Sequence, residues 1–306
     1  MDEKKKNQIQ DTVPVTVIPS PWEVMRREIV SDKLALVSLI FFCTVILVSF
    51  VWAATFDPAE MELVHVRLLN LSPGYHEGRG NFILGTDPFG RDVLGQLVVG
   101  ARNSFIISFT VALASSFIGI VVGLFAGYYG GNFDNIVMRL VDFFTVVPTL
   151  MFIIVLVVII NPTPVVFGLI MTVFGWVGVA RQIRMKTLQQ GVMAYIKASK
   201  TLGTPNIVII FRELLPNIVS FMVINLILTI AGTMGIETGL TFLGFGLPPG
   251  TPSLGTMVSY ASTPTVLQNR LWQWLPAAVL IFLMMLSINY VGQALNRAAD
   301  AKRRNV

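Results

Sequence analysis

The chain has 306 residues, of which 54% are apolar and 13% charged, and a mean hydropathy of +0.72. That is far more oily surface than one soluble core could hide, so a membrane protein is the expected class. The net charge of +5 does not mark a nucleic-acid binder, because the Lys and Arg residues sit in short segments between apolar blocks and form no single stripe.

Residues 1–20, rich in Lys, Asn, Gln and Pro, read as disordered. Trp22, Met25, Ile29 and Val30 then share a helical face, which suits a helix lying in the membrane interface or the solvated start of the first span. Residues 1–33 thus form a polar tail, too long to precede a secretory h-region, so the first span is expected to stay as an anchor. The lone cysteine, Cys43, lies inside that span; it excludes a disulfide framework and a thiolate metal cluster and is expected to pack.

Apolar blocks at 34–56, 104–126, 138–160, 165–181, 217–236 and 275–295 each approach the ~20 residues that cross a bilayer. The sequence therefore predicts an all-α membrane protein with six transmembrane helices, the last five forming a core over 104–295. Asn161-Pro162-Thr163-Pro164 predicts a tight turn between the third and fourth spans. With the N-terminus cytoplasmic, seventeen of the 22 Lys and Arg fall inside and five outside. Both termini, the loop 182–216 and the tail 296–306 are then inside, and the segments 57–103 and 237–274 outside. The first outer segment holds His65, His76 and several carboxylates without a His-x-x-x-His spacing, so no metal site is expected. The second is rich in Gly and Pro, and its Phe242, Phe245, Trp272 and Trp274 suit a cap at the interface.

The connection from Arg181 to Pro216 carries too many charges to cross a membrane and too regular an apolar spacing to be disordered. Ile196, Ser199, Lys200 and Gly203 fall on neighbouring helix positions, with Tyr195, Ala198 and Leu202 on an adjoining face. A short helix should end near Gly203, at a positive φ or a close approach to a partner. Thr204 is expected to cap a second helix with Pro205 in its first turn. Such a helix-turn-helix suits docking on another protein; a surface loop without a partner is the alternative.

Gly119, Gly123 and Gly127 recur every four residues, which admits close helix packing, within this subunit or across a seam with another. Asp142 and Glu237 are the acids closest to the membrane and need protein or water beside them, with an Asp142–Arg139 pair as the simpler reading. They join Asn225 and Thr229 of the fifth span as candidate translocation-pathway residues. No Gly is followed by Lys, so a phosphate-cradling P-loop is absent, as is a Gly-x-Ser-x-Gly elbow. No catalytic residue and no cofactor bound by this chain are expected.

Tyr195-Ile-Lys-Ala-Ser-Lys-Thr-Leu-Gly203, followed by Ile209-Ile-Phe-Arg-Glu-Leu-Leu-Pro-Asn217, resembles the "EAA" loop of ABC-importer permeases, whose pattern is Glu-Ala-Ala, three residues, Gly and a later Leu-Pro. Lys197, Ala198 and Ser199 take the Glu-Ala-Ala places, Gly203 the Gly, and Leu215 and Pro216 the Leu-Pro. Lys197 departs by putting a base where the family has an acid. Leu84-Gly-Thr-Asp-Pro-Phe-Gly-Arg-Asp92 with Gly100-Ala-Arg-Asn-Ser104, and Leu243-Gly-Phe-Gly-Leu-Pro-Pro-Gly-Thr-Pro-Ser-Leu-Gly255, resemble the C-type permeases of dipeptide and oligopeptide importers. The likeness covers most of 20–295 and departs at Gln293, where many relatives carry an acid.

That resemblance implies a type I ABC-importer permease fold in a bacterial cytoplasmic membrane, paired with a homologous B-type permease. It implies two cytoplasmic ATPase subunits that bind ATP and Mg, and an extracytoplasmic peptide-binding protein. In such permeases the loop carries the coupling helix that seats in an ATPase groove, so Tyr195, Lys197, Ala198, Ser199, Leu202, Gly203, Leu215 and Pro216 become the expected coupling residues. The implied cargo is peptides, with nickel, glutathione or another small solute as the alternative. A proton-coupled secondary carrier would place ionisable residues mid-membrane, and the span centres here are nearly free of charge.

Overall fold

The computed structural model describes residue 26 and residues 29–55, 63–76, 81–248 and 250–304. Arg26 and residues 29–31 are helical, while the rest of the expected interfacial face, Trp22 and Met25, lies outside the described residues. Asp32 then starts α1 (Lys33–Ala53), its carboxylate accepting from the Leu34 and Ala35 amides at 3.0 and 3.2 Å. The apolar side chains of α1 run all round it, and only Ala35, Ser49 and Ala53 are buried within the chain. Cys43 faces outward from α1 and does not pack as expected, because α1 is buried along one narrow strip.

A hairpin of two-residue strands follows, β1 (Tyr75–His76) antiparallel to β2 (Asn81–Phe82), which is the one departure from an all-helical fold among the described residues. Asp92 caps α2 (Val93–Tyr129), accepting from the Leu94 and Gly95 amides. Next come α3 (Gly131–Val146) and α4 (Thr149–Ile160), bent by 74° against each other. The cause is Pro148, which has no amide hydrogen to give a continuing helix and forces Val147 into an extended ψ of 128°. A single span over 138–160 is thereby corrected to a broken pair.

Asn161, left-handed at φ 48°, closes α4, and Thr163 accepts from the Val166 amide to open α5 (Pro164–Gly191), so the expected turn is in place. After α6 (Ala194–Thr201) the chain enters α7 (Asn206–Phe242). Two short helices, α8 (Leu254–Ser259) and α9 (Pro264–Asn269), precede α10 (Leu275–Arg304). Among the described residues, five helices are long and apolar enough to cross a membrane, and six spans result if α3 and α4 count as one.

α2 lies at the centre, against α5 along one side and α7 along another. At the hairpin end the core holds Phe105, Met234, Leu254, Met257 and Met284; at the opposite end it holds Leu124, Ile183, Ile196, Ile210 and Leu214. The glycine stripe packs inside the subunit. Cβ atoms on Gly119, Gly123 and Gly127 would lie 2.6 Å from Val179 Cβ, 2.4 Å from the Ala180 carbonyl and 2.7 Å from Thr187 Cβ, all on α5.

Helix ends reach past the apolar blocks. The helix of 104–126 begins at Val93, that of 165–181 continues to Gly191, and that of 217–236 runs from Asn206 to Phe242. Eleven residues of the expected segment 57–103, and six of 237–274, are therefore helical extensions of spans, and the tail beyond 295 continues α10 to Arg304. Apolar run length marks what touches lipid, and helix length is set by hydrogen bonding and internal packing as well.

Candidate functional site

An exposed turn lies between α6 and α7. Ile196 is the one buried residue of α6 and packs with Leu124, Ile183, Ile209, Ile210 and Leu214. Its other faces carry Tyr195, Lys197 and Ala198 in the open, Ser199 half-buried, and Leu202 at 85% exposure. The helix closes through the Leu202 amide to Ala198 O at 2.9 Å, Gly203 to Lys200 O at 3.1 Å and Thr204 to Ser199 O at 3.1 Å. Gly203 has φ +77°, which a side chain would strain, and no atom stands within 4 Å of where its Cβ would be. Within this chain its requirement is conformational.

Thr204 does not cap α7. Pro205 occupies the cap position and makes no side-chain bond, leaving Thr204 one residue too early to reach the first amides. Tyr195 donates from its hydroxyl to Gln190 Oε1 at 2.9 Å, and its pKa is raised by partial burial and then by the charge of Glu213. On α2, the Tyr128 hydroxyl donates to Asn206 Oδ1 at 2.8 Å, while Lys200 Nζ lies 4.7 Å from the centre of the Tyr128 ring. Residues Ile209–Leu214 form a π-type turn, in which the Leu215 amide bonds to Ile210 O five residues back. Pro216 has no amide hydrogen and its ring crowds the carbonyl four residues earlier, so a widened turn relieves the conflict. Leu215 is half-buried there and Pro216 exposed.

Asp142 on α3 accepts from Arg181 Nη2 on α5 at 2.9 Å, and the same nitrogen reaches Thr145 Oγ1 at 3.2 Å. The expected partner Arg139 is not used, since Arg181 comes from the neighbouring helix and gains Thr145 as a second acceptor. A second pair, Asp134 with Arg184, is fork-like, Nε to one carboxylate oxygen and Nη2 to the other. Sequence reasoning passed over it, its only local signal being a carboxylate in the first turn of α3.

A cleft of about 280 Å³ opens between α2, α4, α5 and α7, edged by Thr149, Phe174, Gly175, Thr229, Gly232 and Ile236. Thr229 thus lines open space. Asn225, half-buried, donates from its side-chain amide to Phe221 O at 3.2 Å on its own helix.

Glu237 is buried, 1% exposed. It accepts from Ser104 Oγ and Thr241 Oγ1, both at 3.2 Å, while Ser104 Oγ accepts from the Leu254 amide at 3.2 Å. A Cβ on Gly255 would stand 2.9 Å from Glu237 Oε1, so the carboxyl seats the start of α8 against α2. Nearby, Arg91 and Asp87 form a buried ion pair at 2.7 Å, with side chains 4% and 1% exposed. Asp87 also accepts from the Phe89 and Arg91 amides, and Arg91 reaches Gly250 O at 3.1 Å and the Tyr260 hydroxyl at 2.7 Å. Burial, with the Asp87 charge added, pushes the Tyr260 hydroxyl pKa up. A third tie runs from Gln273 Nε2 to Thr86 O at 2.9 Å and Asn70 Oδ1 at 3.0 Å. Among the described residues no group of three His, Cys, Asp or Glu is arranged to hold a metal ion.

Residues 119–305 match the family model described as "Binding-protein-dependent transport system inner membrane component". The oligopeptide transport system permease protein of Lactococcus lactis strain IL1403 is 40% identical over 282 residues, 91% of this chain and 94% of that one. The dipeptide transport system permease protein of Haemophilus influenzae is 32% identical over 293 residues, 94% of this chain and 96% of that one. Its Bacillus subtilis counterpart is 32% identical over 301 residues, 98% and 92% of the two chains. The long apolar helices and these matches define a membrane permease subunit of ABC importers, not itself an enzyme, and a multi-pass protein of the cytoplasmic membrane. The chain belongs to the binding-protein-dependent transport permease family, in the group of oligopeptide and dipeptide permeases.

Proposed function

We propose that this chain is the C-type half of the translocation unit of an ATP-driven peptide importer. The observation that carries the cargo is 40% identity along 91% of the chain to a permease named for oligopeptide transport. The unit has six spans with α3 and α4 as one, both termini in the cytoplasm, and a homologous B-type permease across the seam. Two cytoplasmic ATPase subunits hold ATP and Mg, this chain holds no cofactor, and an extracytoplasmic binding protein delivers the peptide to the hairpin end.

In this reading α6 and the turn at Gly203 form the knob that seats on an ATPase. Nucleotide binding draws the ATPases together and moves the knob, and Ile196 passes the movement to α2, α5 and α7 through the core it shares with them. The two permease halves then alternate access across the bilayer. Peptide passes the face holding the Thr229 cleft and the Asp142–Arg181 pair. Glu237, enclosed by its own subunit, seats α8 at the outer end of that face.

Gly203→Asp tests the coupling element. It puts a side chain on a residue at φ +77° and a charge into the contact, and a buried unpaired charge costs about 3–5 kcal/mol. The variant should insert and pair with the second permease, yet bind fewer ATPase subunits and lose substrate-stimulated hydrolysis. Unchanged ATPase stoichiometry, stimulated hydrolysis and uptake would reject the knob as the coupling element.

A further inference from the structure

Tyr128 stands in the last turn of α2 and touches both sides of the Gly203 turn. Three residues before Gly203, the Lys200 ammonium lies 4.7 Å from the centre of its ring, a cation–π distance. Three residues after Gly203, Asn206 accepts from its hydroxyl at 2.8 Å. α6 is only two turns long, too short to hold its own shape in water, and a single buried side chain, Ile196, fixes it to the core. Ile196 and the Tyr195–Gln190 bond both hold the first turn of α6, which leaves its far end free to swivel, and the contacts of Lys200 and Asn206 with Tyr128 remove that freedom.

We propose that Tyr128 is the positioning residue of this loop: its ring and its hydroxyl grip the two limbs of the Gly203 turn and hold the knob at one fixed angle to α2. The inference rests on the reading of the loop as the ATPase contact and adds what sets its orientation. Lys200 is then a fastening residue that faces the permease. Both contacts sit at the surface, so each contributes modestly, and their joint effect is on orientation more than on folding.

The complete importer with its ATPases, reconstituted in vesicles, reads this out as peptide taken up per ATP hydrolysed. Tyr128→Leu should keep the ATPase subunits bound and lower that ratio about tenfold, the scale of one surface cation–π contact and one hydrogen bond together. Tyr128→Phe removes the hydroxyl alone and Lys200→Met the ammonium alone, so each should fall between wild type and Tyr128→Leu. Lys200→Arg should restore the ratio, and Tyr128→Leu with Lys200→Met should be no worse than Tyr128→Leu. A wild-type ratio in Tyr128→Leu, or a fall in uptake that only follows the amount of assembled complex, overturns the proposal. Gly203→Asp, assayed beside them, separates the failures. If it uncouples while Tyr128→Leu does not, only the grip is wrong; if it too is silent, the coupling reading falls first.

Discussion

Arg181 on α5 holds Asp142 on α3 at 2.9 Å while both side chains stay open, at 44% and 59% exposure. The pair lies six residues before the break at Pro148, on the side of α3 that its own subunit leaves uncovered. An exposed ion pair contributes about 0–1 kcal/mol to folding, yet charge near the membrane requires water or another protein beside it. Asp142→Asn should therefore lower uptake severalfold while the amount of folded protein in the membrane stays within about a fifth of wild type, as expected for so small a folding term. Exchanging the two residues, Asp142→Arg with Arg181→Asp, should recover part of the uptake. If uptake and folded protein decline together, the pair is structural.

Topology is open to direct labelling. Cysteines placed singly at Val66, Gln268 and Leu202 in a Cys43→Ala background sit on exposed positions at the two ends of the fold. The first two should react with a membrane-impermeant thiol reagent in whole cells, and Leu202→Cys only after the cells are opened. Labelling of Leu202→Cys in intact cells would invert the assignment.

The buried Arg91–Asp87 pair sets a different expectation. Removing one partner strands a buried charge, so Arg91→Met alone should cost about 3–5 kcal/mol. Melting of the purified complex should drop sharply, with loss of the contacts to Gly250 and Tyr260. The double change Arg91→Met with Asp87→Leu leaves no buried charge, at the lesser cost of the Phe89 and Arg91 amides losing their acceptor, and should melt higher than Arg91→Met alone. If the single and double variants melt alike, the pair does not hold the two outer segments together.

Close packing of α2 on α5 predicts that Gly123→Ala destabilises. Its new methyl would meet the Ala180 carbonyl at 2.4 Å, backbone that gives way only if the helices part, at about 1–3 kcal/mol. Gly178→Ala, where no atom stands within 4 Å, is the control and should melt at or slightly above wild type, since Ala favours a helix interior over Gly.

Apolar runs placed all the long helices, because lipid-facing residues need no periodicity and leave a plain signal. What they missed follows from the same physics. The first turns of α2 bury Gln96, Asn103 and Ser104, polar residues satisfied inside the fold, so hydropathy placed the helix start eleven residues late. Pro148 was visible but sat among apolar residues that read as one span. The motif Leu84–Asp92 stood out in the sequence, while its partners Gly250 and Tyr260 lie 159 and 169 residues from Arg91, a distance no local pattern bridges. The Asp142–Arg181 pair went unread for a similar reason, Arg139 being nearer in sequence and Arg181 nearer in space. At the Gly203 turn the neighbours were legible and the grip of Tyr128 was not, since an aromatic at the end of an apolar helix looks like any interfacial anchor.

The 37 residues of α2 carry no proline and run as one helix about 55 Å long at 1.5 Å per residue, whereas the hydrocarbon layer is about 30 Å thick. Such a rod overhangs the bilayer, with Asp92 at one tip and Tyr128 at the other. Gly119, Gly123 and Gly127 press α2 onto α5 at the Tyr128 end of this rod, so a push at that tip has almost no lever arm about them and would carry α2 and α5 together as one body.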